Sequence, residues 1–273
     1  MFEKVLVGVG GDKAGGDAIA LAKGLVSPQG ELTLLHVYVV TSKPAPDSGA
    51  VGEAAKRRYE RQRLAALAGE FEIDARAAWV EARSVRRGLH QYASGEHADL
   101  LVVGATGYDE LARDYVDDTH KVLEDAPCTV AVAPTGYSEL GGAITRIGVA
   151  YDGSPESERA LALARTLAAQ RHAVLSAFEA VQAPIHVGDP ANQEAELEER
   201  VEEARGRIAA LGGVDASAEL GDAVDELVHY AESIDLLVLG SHRYRPIDRF
   251  LLQSTAQQLA DVASSPLLVL PRA

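Results

Sequence analysis

Two loops in the second half of the sequence contain residues that could hold an anion such as a phosphate. Each loop follows a short apolar stretch and precedes a helical pattern, as expected where a strand leads into a helix. Glycine lets the backbone come close to a phosphate, a Ser or Thr at a helix start places free N–H groups near it, and arginine offers a forked donor. Together with one carboxylate, the residues of these types are Asp152, Gly153, Ser154, Gly240, Arg243, Ser254 and Thr255. They form a candidate site for a nucleotide or another small anion.

The sequence repeats itself, and the second half follows the order of the first. Val5–Asp12 aligns with Ile147–Ser154, and Asp99–Gly104 aligns with Asp235–Gly240. The alignment offset drifts slowly while the order of the segments is kept, which indicates a duplication with a few insertions and deletions. Residues 134–142 contain a proline and paired glycines, which are typical of a linker. We therefore predict two domains, at residues 1–136 and 143–273.

Each half alternates short apolar stretches, which predict strands, with stretches of helical periodicity. In the first half the predicted strands are Val5–Val9, Leu32–Val40, Ala75–Val80, Leu100–Val103 and Thr129–Ala133, and the predicted helices are Ala14–Val26, Glu53–Ala68, Val85–Ser94 and Glu110–Asp125. In the second half the strands are Ile147–Tyr151, Ala173–Phe178, Val214–Leu220, Leu236–Leu239 and Leu267–Leu270, and the helices are Glu156–Ala169, Gln193–Leu211, Ala223–Ser233 and Ser254–Ala263. This alternation predicts an α/β fold with a parallel sheet covered on both faces. Such sheets bind ligands beyond the carboxyl ends of their strands, so the loops after the first and fourth strands are the candidates.

The residues of these loops resemble those of the universal stress protein family. The resemblance rests on Tyr151–Ser154 after a first strand, Gly240–Arg243 and Gln253–Ala256 after a fourth strand, Gly104–Gly107 in the first half, and Ala126–Cys128. It covers nearly all of both halves, so the chain is similar to a tandem member of that family. The resemblance implies two doubly wound five-stranded parallel sheets with the strand order 3-2-1-4-5. It also implies that the two fifth strands, Val130–Val132 and Leu268–Leu270, pair within one chain as a pseudo-dimer, and two chains could associate further as a homodimer.

The first half departs from the nucleotide-binding pattern of that family. Its nucleotide-binding members hold ATP with an Asp after the first strand and a Gly-x2-Gly-x9-Gly-Ser/Thr loop after the fourth. Gly104 and Gly107 are kept, and Val37 falls at the apolar position that lines the adenine. Gly10, however, replaces the Asp, and Asp117–Asp118 replaces the final Gly-Ser. Each of these carboxylates would repel a triphosphate by on the order of 1 kcal/mol, so we predict that this half does not bind ATP in the family's way.

The second half departs from the same pattern at other positions. Arg243 and Gln253 replace two of the glycines, and side chains there would obstruct the close approach of a phosphate to the backbone. In the sequence alignment Glu179 falls where the first half has Val37. A cluster of arginines could supply charge in place of backbone contacts: Arg243, Arg245 and Arg249. These arginines could equally form ion pairs with carboxylates of the protein, so both interpretations stay open.

The second predicted helix has opposite charge in the two halves. In the first half it is basic, with Lys56, Arg57, Arg58, Arg61 and Arg63. In the second half it is acidic, with Glu194, Glu196, Glu198, Glu199, Glu202 and Glu203. The complementary charge could orient the two halves or two subunits, or each helix could simply present a solvated face.

The composition excludes several other classes of protein. The 273 residues include 26 basic and 41 acidic side chains, a net charge of −15, which opposes binding to nucleic acid or to an anionic membrane. No apolar stretch reaches the roughly 18 residues of a membrane helix, and we expect a cytoplasmic protein. The lone Cys128 excludes an intrachain disulfide and favours a buried apolar role. The histidines lack the spacing of a metal site, and no hydrolase nucleophile motif surrounds Ser154.

These observations predict a non-enzymatic, cytoplasmic stress-response module with degenerate nucleotide sites. Its ligand would be ATP or another adenine nucleotide, held in the second half by the candidate site. A slow ATP hydrolase or nucleotidyl-transfer enzyme on the same fold is the first alternative. A protein-interaction scaffold without a ligand is the second.

Overall fold

The computed structural model describes residues 1–10, 13–40, 50–105, 119–140, 142–183, 190–241 and 254–272. The chain divides into two compact units, Met1–Gly141 and Gly142–Ala273. Within each unit strands alternate with helices, and the paired strands run parallel. The α/β class predicted from the alternation of elements is confirmed.

The first unit has the strands β1 (Phe2–Gly8), β2 (Val26–Val39), β3 (Arg76–Ala82), β4 (Leu100–Gly104) and β5 (Thr129–Ala133). Its described helical segments are α1 (Lys13–Leu25), α2 (Ala50–Glu70), α3 (Val85–Glu96), α4 (residues 119–123) and α5 (Tyr137–Leu140). The strands lie in the order β3-β2-β1-β4-β5. Since the chain order reverses between β1 and β4, the loops that follow these two strands meet at the carboxyl edge of the sheet.

The second unit repeats this arrangement. Its strands are β6 (Arg146–Ala150), β7 (Val174–Val181), β8 (Asp215–Leu220), β9 (Leu236–Gly240) and β10 (Leu267–Leu270), in the order β8-β7-β6-β9-β10. Its described helices are α6 (Pro155–Arg171), α7 (Pro190–Ala209), α8 (Ala223–Ala231) and α9 (Thr255–Val262). Fully buried aliphatic side chains such as Ile147 and Leu167 pack between the sheet and its helices. Strands β5 and β10 each end their unit's strand order, and the pairing predicted between them stays a prediction.

The element bounds differ most from the predicted ones at β2. This strand begins at Val26 rather than at Leu32, because a polar stretch with a proline and a glycine hides its first residues from a hydrophobic pattern. Phe2 of β1 pairs with Val26, whereas Lys4 pairs with Glu31, so the register shifts over this stretch. The backbone hydrogen bonds of β1 therefore extend the strand beyond what side-chain polarity indicates.

The segment predicted as a linker contains the short helix α5. Asp17 of α1, which is 2% exposed, accepts hydrogen bonds from the backbone N–H groups of Gly136 and Ser138 at 2.9 and 2.8 Å. The Ser138 hydroxyl donates to the same carboxylate at 2.6 Å. Part of the segment predicted as a linker is thus ordered, because a distant buried carboxylate caps it.

The repeated Asp-Leu-Leu-Val segments begin with carboxylates that have a structural role. Asp99 accepts hydrogen bonds from the N–H groups of Glu3 and Lys4 at 2.8 and 3.0 Å. Asp235 accepts in the same way from Thr145 and Arg146, each at 2.9 Å, and the Arg146 guanidinium lies 3.0 Å away. In both units the carboxylate before the fourth strand therefore fixes the start of the first strand.

Replacing Asp235 by asparagine should make the free energy of unfolding of the second unit less dependent on pH in the acid range. Burial opposes ionisation of Asp235, but the hydrogen bonds from Thr145 and Arg146 outweigh it and hold the pKa below 3.8. The carboxylate therefore stabilises the fold above pH 3.8, and this contribution is lost as the pH falls below that value. We expect Asp235→Asn to cost about 1 kcal/mol at neutral pH.

Urea unfolding followed by circular dichroism at several pH values measures this difference. The exposed Asp215 of β8 provides the matched control, Asp215→Asn, for which we expect no comparable pH dependence. A loss for Asp235→Asn that stays constant from neutral pH to below pH 3 would show that the charge of Asp235 is not what stabilises the strand.

Candidate functional site

A cavity of about 130 Å³ opens at the carboxyl edge of the second unit's sheet. Four residues of the predicted site line it, namely Asp152, Gly240, Ser254 and Thr255. Gly153 and Ser154 do not line it, and Arg243 lies outside the described residues. The walls are mainly apolar, formed by Phe178, Ala180, Leu227 and Leu239. The structure thus brings part of the predicted site together around an apolar pocket.

The residues after β6 form the turn that starts helix α6. Gly153 has a φ of +75°, a left-handed conformation that favours glycine. The Ser154 N–H donates to Asp152 Oδ1 at 3.0 Å, and the Ser154 hydroxyl accepts from the Ser157 N–H at 3.1 Å as the helix N-cap. The motif that suggested an anion site therefore also has the ordinary task of capping a helix.

Ser254 caps helix α9 in a capping box. Its hydroxyl accepts from the Gln257 N–H at 3.2 Å, and its own N–H donates to Gln257 Oε1 at 2.8 Å. Within the described part of the chain, no hydrogen bond uses the backbone N–H groups of Thr255 and Ala256, which also line the cavity. The start of α9 thus presents two backbone donors and the positive end of the helix dipole to the pocket.

The packing of the second unit requires glycine at position 240 whether or not a ligand binds. A Cβ atom at this position would lie 2.7 Å from Glu156 Cβ and 2.8 Å from the Glu156 carbonyl carbon. In the first unit a Cβ at Gly104 would overlap the Ala14 carbonyl oxygen in the same way. Glycine at the end of the fourth strand therefore lets the first helix of each unit approach the sheet closely, a role that the sequence alone did not reveal.

The structural register corrects the alignment of Glu179 with Val37. Gly8 pairs with Leu35 in the first unit, and its counterpart Ala150 pairs with Phe178 in the second. Leu35 and Phe178 are therefore equivalent, which places Glu179 at the position of His36 and Ala180 at the position of Val37. The sequence alignment was therefore shifted by one residue, and a shift of one in a strand moves a side chain to the opposite face.

Contacts on the helix side support the corrected register. His36 Nδ1 lies 3.4 Å from the Arg63 guanidinium of α2, and Glu179 Oε1 accepts from the Arg207 guanidinium of α7 at 2.7 Å. Both side chains therefore face the second helix of their unit. The cavity of the second unit has Ala180 where the first unit has the larger Val37.

In the first unit Val37 is 8% exposed and packs against α3. A Cβ atom at Gly88 would come within 2.9 Å of Val37 Cγ2. Other residues on which the sequence analysis depended lie outside the described part of the chain: Gly107, Asp117, Asp118, Arg243, Arg245, Arg249 and Gln253. Of the first unit's candidates the structure thus places Val37 and Gly104, each in a packing role.

Two tyrosines to which the sequence analysis assigned no role support the cavity wall. Tyr151 donates its hydroxyl proton to Glu158, and burial, followed by that hydrogen bond, raises its pKa to about 12. Tyr230 stacks on Phe178 with ring centroids 4.9 Å apart, and its hydroxyl lies 2.6 Å from Ser176 Oγ. Both phenols stay protonated at neutral pH, so they serve as uncharged, fixed supports.

The described residues of the two units show no group set up for thiol or metal chemistry. Burial raises the pKa of Cys128 to about 12, so this buried thiol is not a ready nucleophile. Among the described residues no group of three or more His, Cys, Asp or Glu side chains is placed to hold a metal ion. None of the helices in the described ranges is long and apolar enough to cross a membrane.

Comparisons with known proteins agree with the architecture of both units. The sequence model of the universal stress protein family matches residues 1–134 and again residues 143–271. A universal stress protein from Archaeoglobus fulgidus DSM 4304 superposes with a TM-score of 0.67 at 14% identity, covering 99% of this chain and 96% of that one. A candidate universal stress protein from Pseudomonas aeruginosa UCBPP-PA14 superposes with a TM-score of 0.62 at 18% identity, covering 99% of this chain and 93% of that one. No curated protein sequence gives a significant match.

Proposed function

The chain belongs to the universal stress protein family, with one family domain in each half, and we propose that it is a cytoplasmic stress-response binding module whose second unit holds an adenine nucleotide. The observation that carries this proposal is the cavity of the second unit, which lies where parallel sheets of this kind bind ligands. The first unit would not bind ATP in the family's way, because Gly10 stands in place of the Asp and Asp117–Asp118 adds negative charge.

The lining of the cavity suits the two ends of a nucleotide. Phe178, Leu227 and Leu239 offer apolar walls for a planar base. The backbone N–H groups of Thr255 and Ala256 offer donors for phosphate oxygens at a helix start. A volume of about 130 Å³ is smaller than the roughly 300–1,000 Å³ typical of drug-sized pockets. The base would therefore be enclosed, while the sugar and phosphates would lie along the open edge toward α9.

The first experiment asks which ligand, if any, the natively purified protein binds. Native mass spectrometry would detect a nucleotide that co-purifies, and thermal unfolding with added ATP, ADP and AMP would rank the three. A ligand at ten times its Kd should raise the melting temperature of the second unit by roughly 4 °C. If no nucleotide co-purifies and none shifts the transition at millimolar concentration, the nucleotide proposal fails and the ligand-free scaffold takes its place.

Filling the cavity should abolish this binding without unfolding the protein. Ala180 lines the pocket, so Ala180→Leu would place three additional carbon atoms in a space of about 130 Å³. We expect the nucleotide-dependent rise in melting temperature to disappear, while the melting temperature without ligand changes little. The exposed Val174 at the start of the same strand gives the control Val174→Leu, which should leave the rise intact. An undiminished rise in Ala180→Leu would place the nucleotide elsewhere.

We further propose that the chain is not an enzyme. The cavity lining is mainly apolar, and its serine hydroxyls serve helix starts: Ser157 donates to the Ser154 carbonyl and Ser254 accepts from the Gln257 N–H. Measurement of phosphate release from ATP by the purified chain tests this point. Turnover that Ala180→Leu removes would instead assign a slow ATP hydrolase to the second unit.

A further inference from the structure

Helix α2 of the first unit has an outward face that the described part of the unit leaves uncovered. The buried Leu64 and Ala68 mark the inner side of the helix, and at roughly 100° per residue the opposite side consists mostly of small, exposed residues. These are Ala55, Ala65, Ala66 and Gly69. The distance between two packed helices depends on the side chains at their contact, so small residues allow a close approach. This face is therefore accessible to a second helix.

A large aromatic side chain lies at one border of this face. Tyr59 is 65% exposed. Together with Tyr38 and Trp79, whose rings stack with centroids 5.9 Å apart, it lines a cavity of about 480 Å³, which we call the aromatic cavity. Tyrosine is enriched at protein interfaces because it combines a large apolar surface with a polar end. An exposed tyrosine beside small side chains suits a contact with another protein.

The other side of the face carries two arginines. Arg58 and Arg61 are exposed, and neither forms an ion pair or a hydrogen bond with the described residues. Arg57 on the flank of the helix, in contrast, lies 3.5 Å from Glu81. Like charges about one turn apart destabilise a helix, so a negatively charged partner would stabilise this part of α2.

Helix α7 of the second unit carries the opposite charge on its outward face. The buried Ala204 and Ile208 mark its inner side, and Glu199, Glu203 and Gly206 lie on the opposite side. Neither glutamate forms an ion pair or a hydrogen bond with the described residues, and their charges, one turn apart, repel each other. No atom lies within 4 Å of a Cβ built at Gly206, so this face is also accessible.

We propose that α2 of one copy of this chain binds α7 of a second copy. Arg58 and Arg61 would pair with Glu199 and Glu203, and the small residues of both helices would let the two backbones approach. A second copy is the partner because the chain itself supplies the complementary charge. The contact joins two different surfaces, so copies can add head to tail. It does not depend on the nucleotide proposed for the second unit.

The net charge of the chain sets the conditions for this association. At −15 per chain, two copies repel each other at long range. In 0.1 M salt the Debye length is about 10 Å, which screens this repulsion over the size of a domain but leaves pairs in direct contact effective. In 1 M salt the Debye length is about 3 Å, and the contact pairs are weakened as well.

Sedimentation velocity of the full-length protein measures the association. In 0.1 M salt the mean mass should rise with concentration between about 1 and 100 µM, the range expected for a contact built on exposed ion pairs. In 1 M salt the association constant should be at least roughly tenfold lower.

Reversal of the charges identifies the two faces. Arg58→Glu/Arg61→Glu should weaken self-association at least roughly tenfold, and so should Glu199→Lys/Glu203→Lys. An equimolar mixture of the two double variants should associate again, because the acidic α2 of one then meets the basic α7 of the other. Association in the mixture also shows that both variants are folded.

The matched control is Arg83→Glu/Arg87→Glu, which changes the net charge equally at exposed positions outside α2 and should stay within about twofold of the unaltered chain. The proposal is overturned if the unaltered chain remains a single species up to about 100 µM in 0.1 M salt, since both helices then simply present solvated faces. It is equally overturned if the mixture fails to associate, or if the control weakens association as much as the reversal in α2.

Discussion

Replacing Gly104 with alanine is expected to destabilise the first unit by about 3 kcal/mol, with or without a nucleotide present. The new Cβ atom would overlap the carbonyl oxygen of Ala14 and lie 2.8 Å from the Ala14 Cβ. Because one of these atoms belongs to the backbone of α1, a side-chain rotation cannot relieve the overlap. Either the helix start or the end of β4 would have to move. Urea unfolding followed through the fluorescence of Trp79, which belongs to this unit, measures the loss directly.

Gly69 near the end of α2 provides the matched control. No atom lies within 4 Å of a Cβ built there, so Gly69→Ala should stabilise the unit by about 0.5 kcal/mol through the helix preference of alanine. If Gly104→Ala behaved like this control and impaired only a ligand-dependent property, the packing role of Gly104 would be refuted. The result would then favour the phosphate-approach role that the sequence motif first indicated.

The regular elements were predictable because they follow from hydrophobic periodicity. Strand β5 begins and ends at the predicted residues, and α1 differs from its predicted range by one residue at each end. The start of β2 was not predictable, because its first residues are polar and join the sheet through backbone hydrogen bonds to β1. Hydrophobic periodicity reflects which side chains are buried. It therefore does not detect a strand segment that pairs only through its backbone.

The candidate site was predictable in its location but less so in its details. Motif positions after the first and fourth strands predicted a site that includes Asp152, Gly240, Ser254 and Thr255, and these four residues line one pocket. The walls came from residues with no motif, such as Phe178 and Leu227, which meet only through the sheet register and the position of α8. A shift of one residue in aligning β7 also sufficed to interchange Glu179 and Ala180, since strand faces alternate at every residue.

The aromatic cavity of the first unit could not be predicted from the sequence at all. Tyr38 and Trp79 are 41 residues apart and meet because β2 and β3 are paired in register. The basic residues of α2 were noticed only as a charged face, with orientation of the halves or plain solvation as the two interpretations. The structure adds that Lys56 and Arg57 lie over aromatic rings, which neither interpretation includes.

Asp17 carries the last prediction, which concerns the segment after β5. Asp17→Ala should cost the first unit about 3 kcal/mol, because two backbone N–H groups and the Ser138 hydroxyl would lose a buried, charged acceptor. Asp17→Asn should cost less, since the amide oxygen keeps one acceptor, and the exposed Asp74→Ala should change stability by less than about 0.5 kcal/mol. Urea unfolding with Trp79 fluorescence ranks the three variants. Equal stability of Asp17→Ala and Asp74→Ala would mean that α5 does not depend on this carboxylate.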